Sequence, residues 1–181
     1  MTPAWFRQQL ACVLATIALF LAMLTLNEWL FARLEFLPGI NWVYLPAGMR
    51  LLSTLLFAEA GAVGLLLVSW GVSFLYFFPH DFDRAFIGGI LAALAPWLVY
   101  RTARQAWGLE ASLANLTPGR LLILCLAYSV ASPLLHHLYF AVRGEQDLWR
   151  SFFVMFVGDL NGTLIVIYAM KAALALVPRR A

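Results

Sequence analysis

Two charged residues lie where apolar sequence leaves them little water. Arg50 sits four residues inside the apolar run that opens at Pro46, and Asp159 lies in FVGDLNGTLIV, nine residues past Arg150. As helix, those distances are ~6 Å and ~13 Å below the preceding polar boundary. A lone charge near mid-bilayer costs about 2.5–3.5 kcal/mol even on the lenient insertion scale, so each needs a partner. A guanidinium suits a carboxylate through two parallel hydrogen bonds. The spacing predicts that Arg50 and Asp159 meet directly or through water, with Asn161 or Thr163 beside them. With the aromatic pair Trp42 and Tyr44 before Pro46, the candidate ligand-binding set is Trp42, Tyr44, Arg50, Asp159, Asn161 and Thr163. Its chemistry would be recognition of a small ligand or ion on a polar floor. The alternative is structural: Gly158 and Gly162 form a GxxxG pair, and the polar groups would serve a close helix crossing.

Other candidates carry less chemistry. His136 and His137 are adjacent and would point about 100° apart on a helix, so they do not share one ion without distortion. No His/Cys/Asp cluster at metal spacing accompanies them, and the reading is no metal site, with one histidine in the bundle and one at the outer interface. Glu28 and Glu59 lie near span ends, where they reach water or couple to a cation. Lys171 can snorkel to headgroups through its long stem. A glycine-aspartate pair also marks intramembrane aspartyl proteases, but a second span offers no partner aspartate. With no nucleotide loop, nucleophile elbow or cofactor fingerprint, we expect neither a cofactor nor catalysis.

The elements that must position these residues are set by composition. Of 181 residues, 64% are hydrophobic and 12% charged, against roughly 25% charged in a soluble domain. Mean hydropathy is +0.85. One core could not hide this much apolar surface, so lipid must solvate much of the chain. The net charge of +3 does not point to nucleic acid, because the basic residues stand singly at segment ends, as membrane topology places them. The expected class is an all-α polytopic bundle forming a single integral membrane domain over residues 1–181.

Six spans are expected. Segment one runs from Leu10 to about Phe31 and reads as an uncleaved first helix; Ala11, Ala15, Ala18 and Ala22 give it small-residue faces. Glu35 to Ala47, with Pro38, Gly39, Asn41 and Pro46, reads as an interfacial or re-entrant segment. Segment two, Pro46–Ala58, is ~20 Å as a helix, short of a ~30 Å hydrocarbon core. It must tilt, borrow residues or be shielded by protein, and it could form a re-entrant hairpin with segment three, Gly61–Phe78. Segment four is Ala85–Tyr100, kinked at Pro96. Within Arg101–Arg120, Leu109, Leu113 and Leu116 suggest a short helix on the membrane surface. Segments five (Leu121–Val142) and six (Ser151–Val177) follow, before the basic tail Arg179–Arg180.

Positive-inside counting places Arg7, Arg101, Arg104, Arg120, Arg179 and Arg180 on the cytoplasmic side, against Arg33, Arg84, Arg143 and Arg150 outside. The expected localisation is a bacterial inner membrane, multi-pass, with both termini cytoplasmic. Cys12 and Cys125 then lie near the reducing face as small apolar fillers rather than a disulfide.

INWVYLPAGMRLLSTLLFAEAGAVGLLL, followed much later by FVGDLNGTLIV, resembles the membrane-embedded sensor module of bacterial diguanylate cyclases and histidine kinases. Those modules carry an aromatic-Pro-small-Gly entry to a short helix and a late helix with a glycine-aspartate pair. This chain is expected to depart from them in having fewer spans and no output domain after Arg180. The size, the Pro38–Gly48 loop and the helix-one alanines also resemble the substrate-capturing subunits of energy-coupling-factor vitamin transporters. These resemblances imply small-ligand sensing or capture with output to a membrane or cytoplasmic protein partner, or through a homo-oligomer, in contact with membrane lipid. A transporter's substrate-binding subunit and a structural assembly factor are the alternatives.

Overall fold

The computed structural model describes residues 2–176, and it is all-α but for one small hairpin. The Arg179–Arg180 tail and the last residue assigned to segment six lie outside the described residues. Helix α1 is Pro3–Phe31, α2 Leu45–Val72, α3 Phe82–Trp107, α4 Pro118–Val142 and α5 Leu148–Leu176; strands β1 (Glu35–Leu37) and β2 (Ile40–Asn41) join α1 to α2. A five-residue π-helical turn, Ser73–Phe77, extends α2. Among the described residues, five helices are long and apolar enough to cross a membrane. The chain therefore reads as an integral membrane helix bundle.

The expected six separate spans are corrected to five such helices, because segments two and three join as α2. That helix is broken at Ala58, whose backbone (φ 50°, ψ −124°) is not helical. Two observations show that the chain doubles back there. A Cβ on Gly61 would collide with the carbonyl of Ser53, whereas a continuous helix would hold those residues ~12 Å apart along its axis. Tyr44 and Phe77 also line one cleft, although a straight helix between them would be ~48 Å long. The short arm ahead of Ala58 is almost wholly buried. Being too short to span, it is enclosed by protein instead.

The entry to that arm is built from turn chemistry. Pro38-Gly39 links β1 and β2, with Gly39 at φ 80°, the positive φ that a Pro-Gly turn of type II requires. The Gly39 amide donates to Glu35 Oε1 at 3.0 Å. Tyr44, at the start of α2, offers no side-chain cap. The cap comes from α1, where Asn27 Oδ1 accepts from the Leu45 amide at 2.9 Å.

Helix α1 packs chiefly on α2, through Thr16, Phe20, Leu24 and Asn27. The helix-one alanines make little of this contact within the bundle: Ala11, Ala18 and Ala22 are exposed and Ala15 is half-buried. The close approach is made instead by Gly64 of α2, whose Cβ would stand 2.7 Å from Thr16 Cβ.

Residues 108–117 form no surface helix. Gly108 ends α3 in the left-handed conformation, Asn115 Nδ2 donates to its carbonyl at 2.9 Å, and Arg120 Nη1 donates to the Asn115 carbonyl at 3.0 Å. Leu109 is buried, and Leu113 and Leu116 pack on the core. Leucines that looked like one amphipathic face plug the end of the bundle.

Candidate functional site

The site forms where the irregular entry segment crosses α5. Gly158 and Gly162 do not seat a neighbouring helix at this point; they receive extended chain. A Cβ on Gly158 would strike the Asn41 carbonyl, and one on Gly162 the Tyr44 carbonyl. The Tyr44 amide donates to the Gly158 carbonyl at 3.1 Å. Gly48, one turn into α2, lies so close that its Cβ would be 2.6 Å from Val166 Cβ. These glycines let the short arm of α2 approach α5 deep inside the bundle.

That approach carries Arg50 inward. Its guanidinium sits over the rings of Phe20 and Tyr44, 5.4 Å and 5.3 Å from their centroids. Asp159 and Tyr128 are also its electrostatic neighbours. Asp159 is 1% exposed and Thr163 fully buried. From α4, Tyr128, Ser129 and Ser132 bring three more buried hydroxyls. Among the described residues, Arg50 Nε, Asp159 Oδ2 and the hydroxyls of Tyr128, Ser129, Ser132 and Thr163 make no well-formed hydrogen bond, although Tyr128 lies close to Arg50 and Ser132 to Asp159. Buried polar groups are ordinarily satisfied, so this concentration is unusual.

Arg50 and Asp159 thus enter one interior region but form no ion pair within 4.0 Å. Tyr44 and Thr163 join them. Trp42 and Asn161 do not: both are exposed, and Asn161 Nδ2 donates to the Trp42 carbonyl at 3.3 Å, fastening the entry segment to the outside of α5. Two positions after Asp159, Asn161 falls on another face of the helix.

Sequence reasoning missed the contribution of α4. Cys125, Tyr128, Ser132, His136 and Phe140 recur at helical spacing and are all buried, and that period was the available signal. Both histidines are buried by protein, where one was expected at the outer interface. Each Nδ1 meets the carbonyl four residues earlier, Ser132 or Pro133, at 2.8 Å. His137 is used up structurally, with Nε2 2.9 Å from Ser151 Oγ. The Nδ1 of His136 must donate to its carbonyl, so in the neutral ring Nε2 is an acceptor, and it faces the Gly88 backbone.

Above this interior lies a cleft of about 60 Å³, lined by Tyr44, Arg50, Ser73, Arg84, His136 and the tip of the β1–β2 hairpin. Arg84 approaches from α3, its guanidinium 4.5 Å from the Phe78 centroid and 5.0 Å from that of Phe140. Glu145 Oε1 lies 3.3 Å from its Nη1. Beside it Asp81 caps α3, accepting from the Arg84 amide at 3.0 Å, and pairs with Arg143 Nη1 at 2.9 Å. The Arg143 hydrogen bond, then the Arg84 amide, hold the Asp81 carboxyl below its ordinary range. The other two carboxylates considered are peripheral: Glu28 accepts from the Tyr76 hydroxyl at 3.2 Å, and Glu59 pairs with Arg101 at 3.6 Å. Among the described residues, no group of three His, Cys, Asp or Glu side chains is placed to hold a metal.

In comparisons with protein-family models, curated proteins and solved structures, nothing matches this chain.

Proposed function

We propose that this integral membrane protein senses or captures a small ligand in the cleft beneath the β1–β2 hairpin and passes the outcome to a partner protein, without chemistry of its own. The observation that carries the reading is the set of buried, unpartnered polar groups around Arg50, which lies between the cleft and Asp159. Leaving such a group without a full partner costs about 1–3 kcal/mol, which a bundle built for packing alone would avoid with apolar residues. A bound molecule supplies partners at the point where the chain leaves them unmet. The doubled α2 suits transmission as well. Its short arm carries Arg50, and the break at Ala58 joins it to the long arm that crosses the bundle.

Filling the cleft tests the reading. Gly88 lines it, and a Cβ there meets nothing within 4 Å, so Gly88→Leu adds bulk without a backbone clash. Small molecules extracted from the purified wild-type protein should include one that falls at least tenfold in Gly88→Leu, with the melting temperature unchanged. Identical small-molecule inventories from the two proteins would overturn it.

A further inference from the structure

We infer that the cleft takes a small anion of the carboxylate or phosphate class, bridging Arg50 and Arg84; this rests on the capture reading above. The argument is an inventory of donors and acceptors. Arg50 and Arg84 have N–H donors only, and Ser73 can donate or accept. No carboxylate lines the cleft. A cation would meet two like charges there, and an uncharged apolar molecule would leave the guanidinium edges unmet.

The two arginines are also held in the posture that anion recognition needs. Arg50 is 8% exposed and packs against Phe20 and Tyr44, while Arg84 packs against Phe78 and Phe140. Aromatic contact engages the face of a guanidinium, whereas hydrogen bonds leave from its edge. Ring contacts of this kind pack against both groups without consuming their donors, and among the described residues the Nε of each is buried with no partner. Their counter-charges stand to the side. Asp159 lies beyond 4.0 Å from Arg50, and Glu145 meets Arg84 through Nη1, from a partly exposed position. At about 60 Å³, the cleft is roughly four times the ~15 Å³ that one water requires, which suits a compact oxyanion group rather than an extended molecule.

A free anion and a lipid headgroup share this chemistry, and the test separates them. Purified protein is placed in nanodiscs of phosphatidylcholine alone or with phosphatidylglycerol. Its thermal midpoint is followed against sodium phosphate, sodium acetate and tetramethylammonium chloride at constant ionic strength. Phosphate or acetate should raise the midpoint saturably in phosphatidylcholine discs, and Arg84→Gln should weaken the half-saturating concentration at least tenfold. Arg84 lies at the mouth, so this variant keeps the interior intact, and Arg84→Lys should recover part of the loss. Stabilisation by phosphatidylglycerol alone, abolished by Arg84→Gln, would support the anion and identify its source as lipid. Tetramethylammonium stabilising the protein, with Arg84→Gln indifferent, would overturn the ligand class while leaving capture standing. Flat responses to every probe and lipid would overturn the inference, and the Gly88→Leu extraction would then judge the capture reading separately.

Discussion

The amide of Tyr44 donates to the carbonyl of Gly158 at 3.1 Å, joining the irregular entry of α2 to the middle of α5. Residues 41–44 are not helical, yet they lie against a membrane helix at depth. Irregular backbone is tolerated at that depth only where protein shields it. Gly158 and Gly162 provide the shielding by letting the chain lie against α5 without side chains between.

Gly162→Ala should therefore be more damaging than its size suggests. Its Cβ would enter the space held by the Tyr44 carbonyl, and overpacking of this kind costs about 1–3 kcal/mol. At roughly 2–4 °C per kcal/mol for a domain of this length, the melting temperature should fall by several degrees. Gly119→Ala, where a Cβ meets nothing within 4 Å, is the control. Equal melting of the two variants would remove the crossing from the account.

Ala58→Gly should be stabilising. Ala58 holds φ 50° and ψ −124°, a conformation that L side chains rarely adopt and that costs of order 1–3 kcal/mol. Glycine takes positive φ without a steric penalty, and the gain is reduced by its larger unfolded-state entropy, about 0.5–1 kcal/mol. Ala58→Val should lower stability. The order Gly above Ala above Val in thermal melts would mark the doubling-back; the order of helix propensity would argue for a continuous helix.

How much of this could be read beforehand depends on what each residue signals locally. The membrane class, the Pro-Gly turn and the shortness of the Pro46–Ala58 arm were legible because hydropathy, φ preference and length act within a few residues. The reversal was only half legible. Gly61 and the arm's length pointed to a hairpin, but the strained position is an alanine, which carries no such signal. Leu109, Leu113 and Leu116 share spacing with an amphipathic helix, and only the bundle's end explains their burial. Arg50 and Asp159 announce themselves in apolar sequence. Tyr128, Ser129 and Ser132 do not, because a neutral hydroxyl in an apolar helix carries no charge that demands a partner and is common on packing faces.

Acid should weaken the loop at the hairpin end through Asp81. Its folded-state pKa lies below the ordinary 3.8, first because of the Arg143 hydrogen bond and then the Arg84 amide. A depressed carboxylate contributes stability that is fully present above its unfolded value and lost as pH falls through the folded one. Asp81→Asn keeps a capping oxygen for α3 but loses the charge. The wild-type advantage over this variant should be constant from neutral pH to somewhat above 3.8 and shrink below it. Both partners are about a third exposed, so the advantage should be small and reduced by salt. An advantage that persists unchanged below pH 3 would show that the charge is not its source.

The last expectation concerns Arg50 and Asp159 together. They are electrostatic neighbours in one buried region but stand farther apart than a direct ion pair. Each still compensates the other's charge in a medium of low dielectric constant, so removing one strands its counterpart, a loss put at about 3–5 kcal/mol for buried pairs. Arg50→Met or Asp159→Leu alone should therefore destabilise strongly. The double variant, which removes both charges, should be less destabilised than the two single losses added together. Tyr128→Phe provides an internal comparison. It deletes a buried neutral hydroxyl beside Arg50 and removes no charge, so it should cost less than either single charge variant. The measurement is a double-mutant cycle on thermal midpoints in detergent, read as coupling free energy. Strictly additive losses would mean that the two charges are compensated separately, and the shared polar interior would then lose its role as the floor of the site.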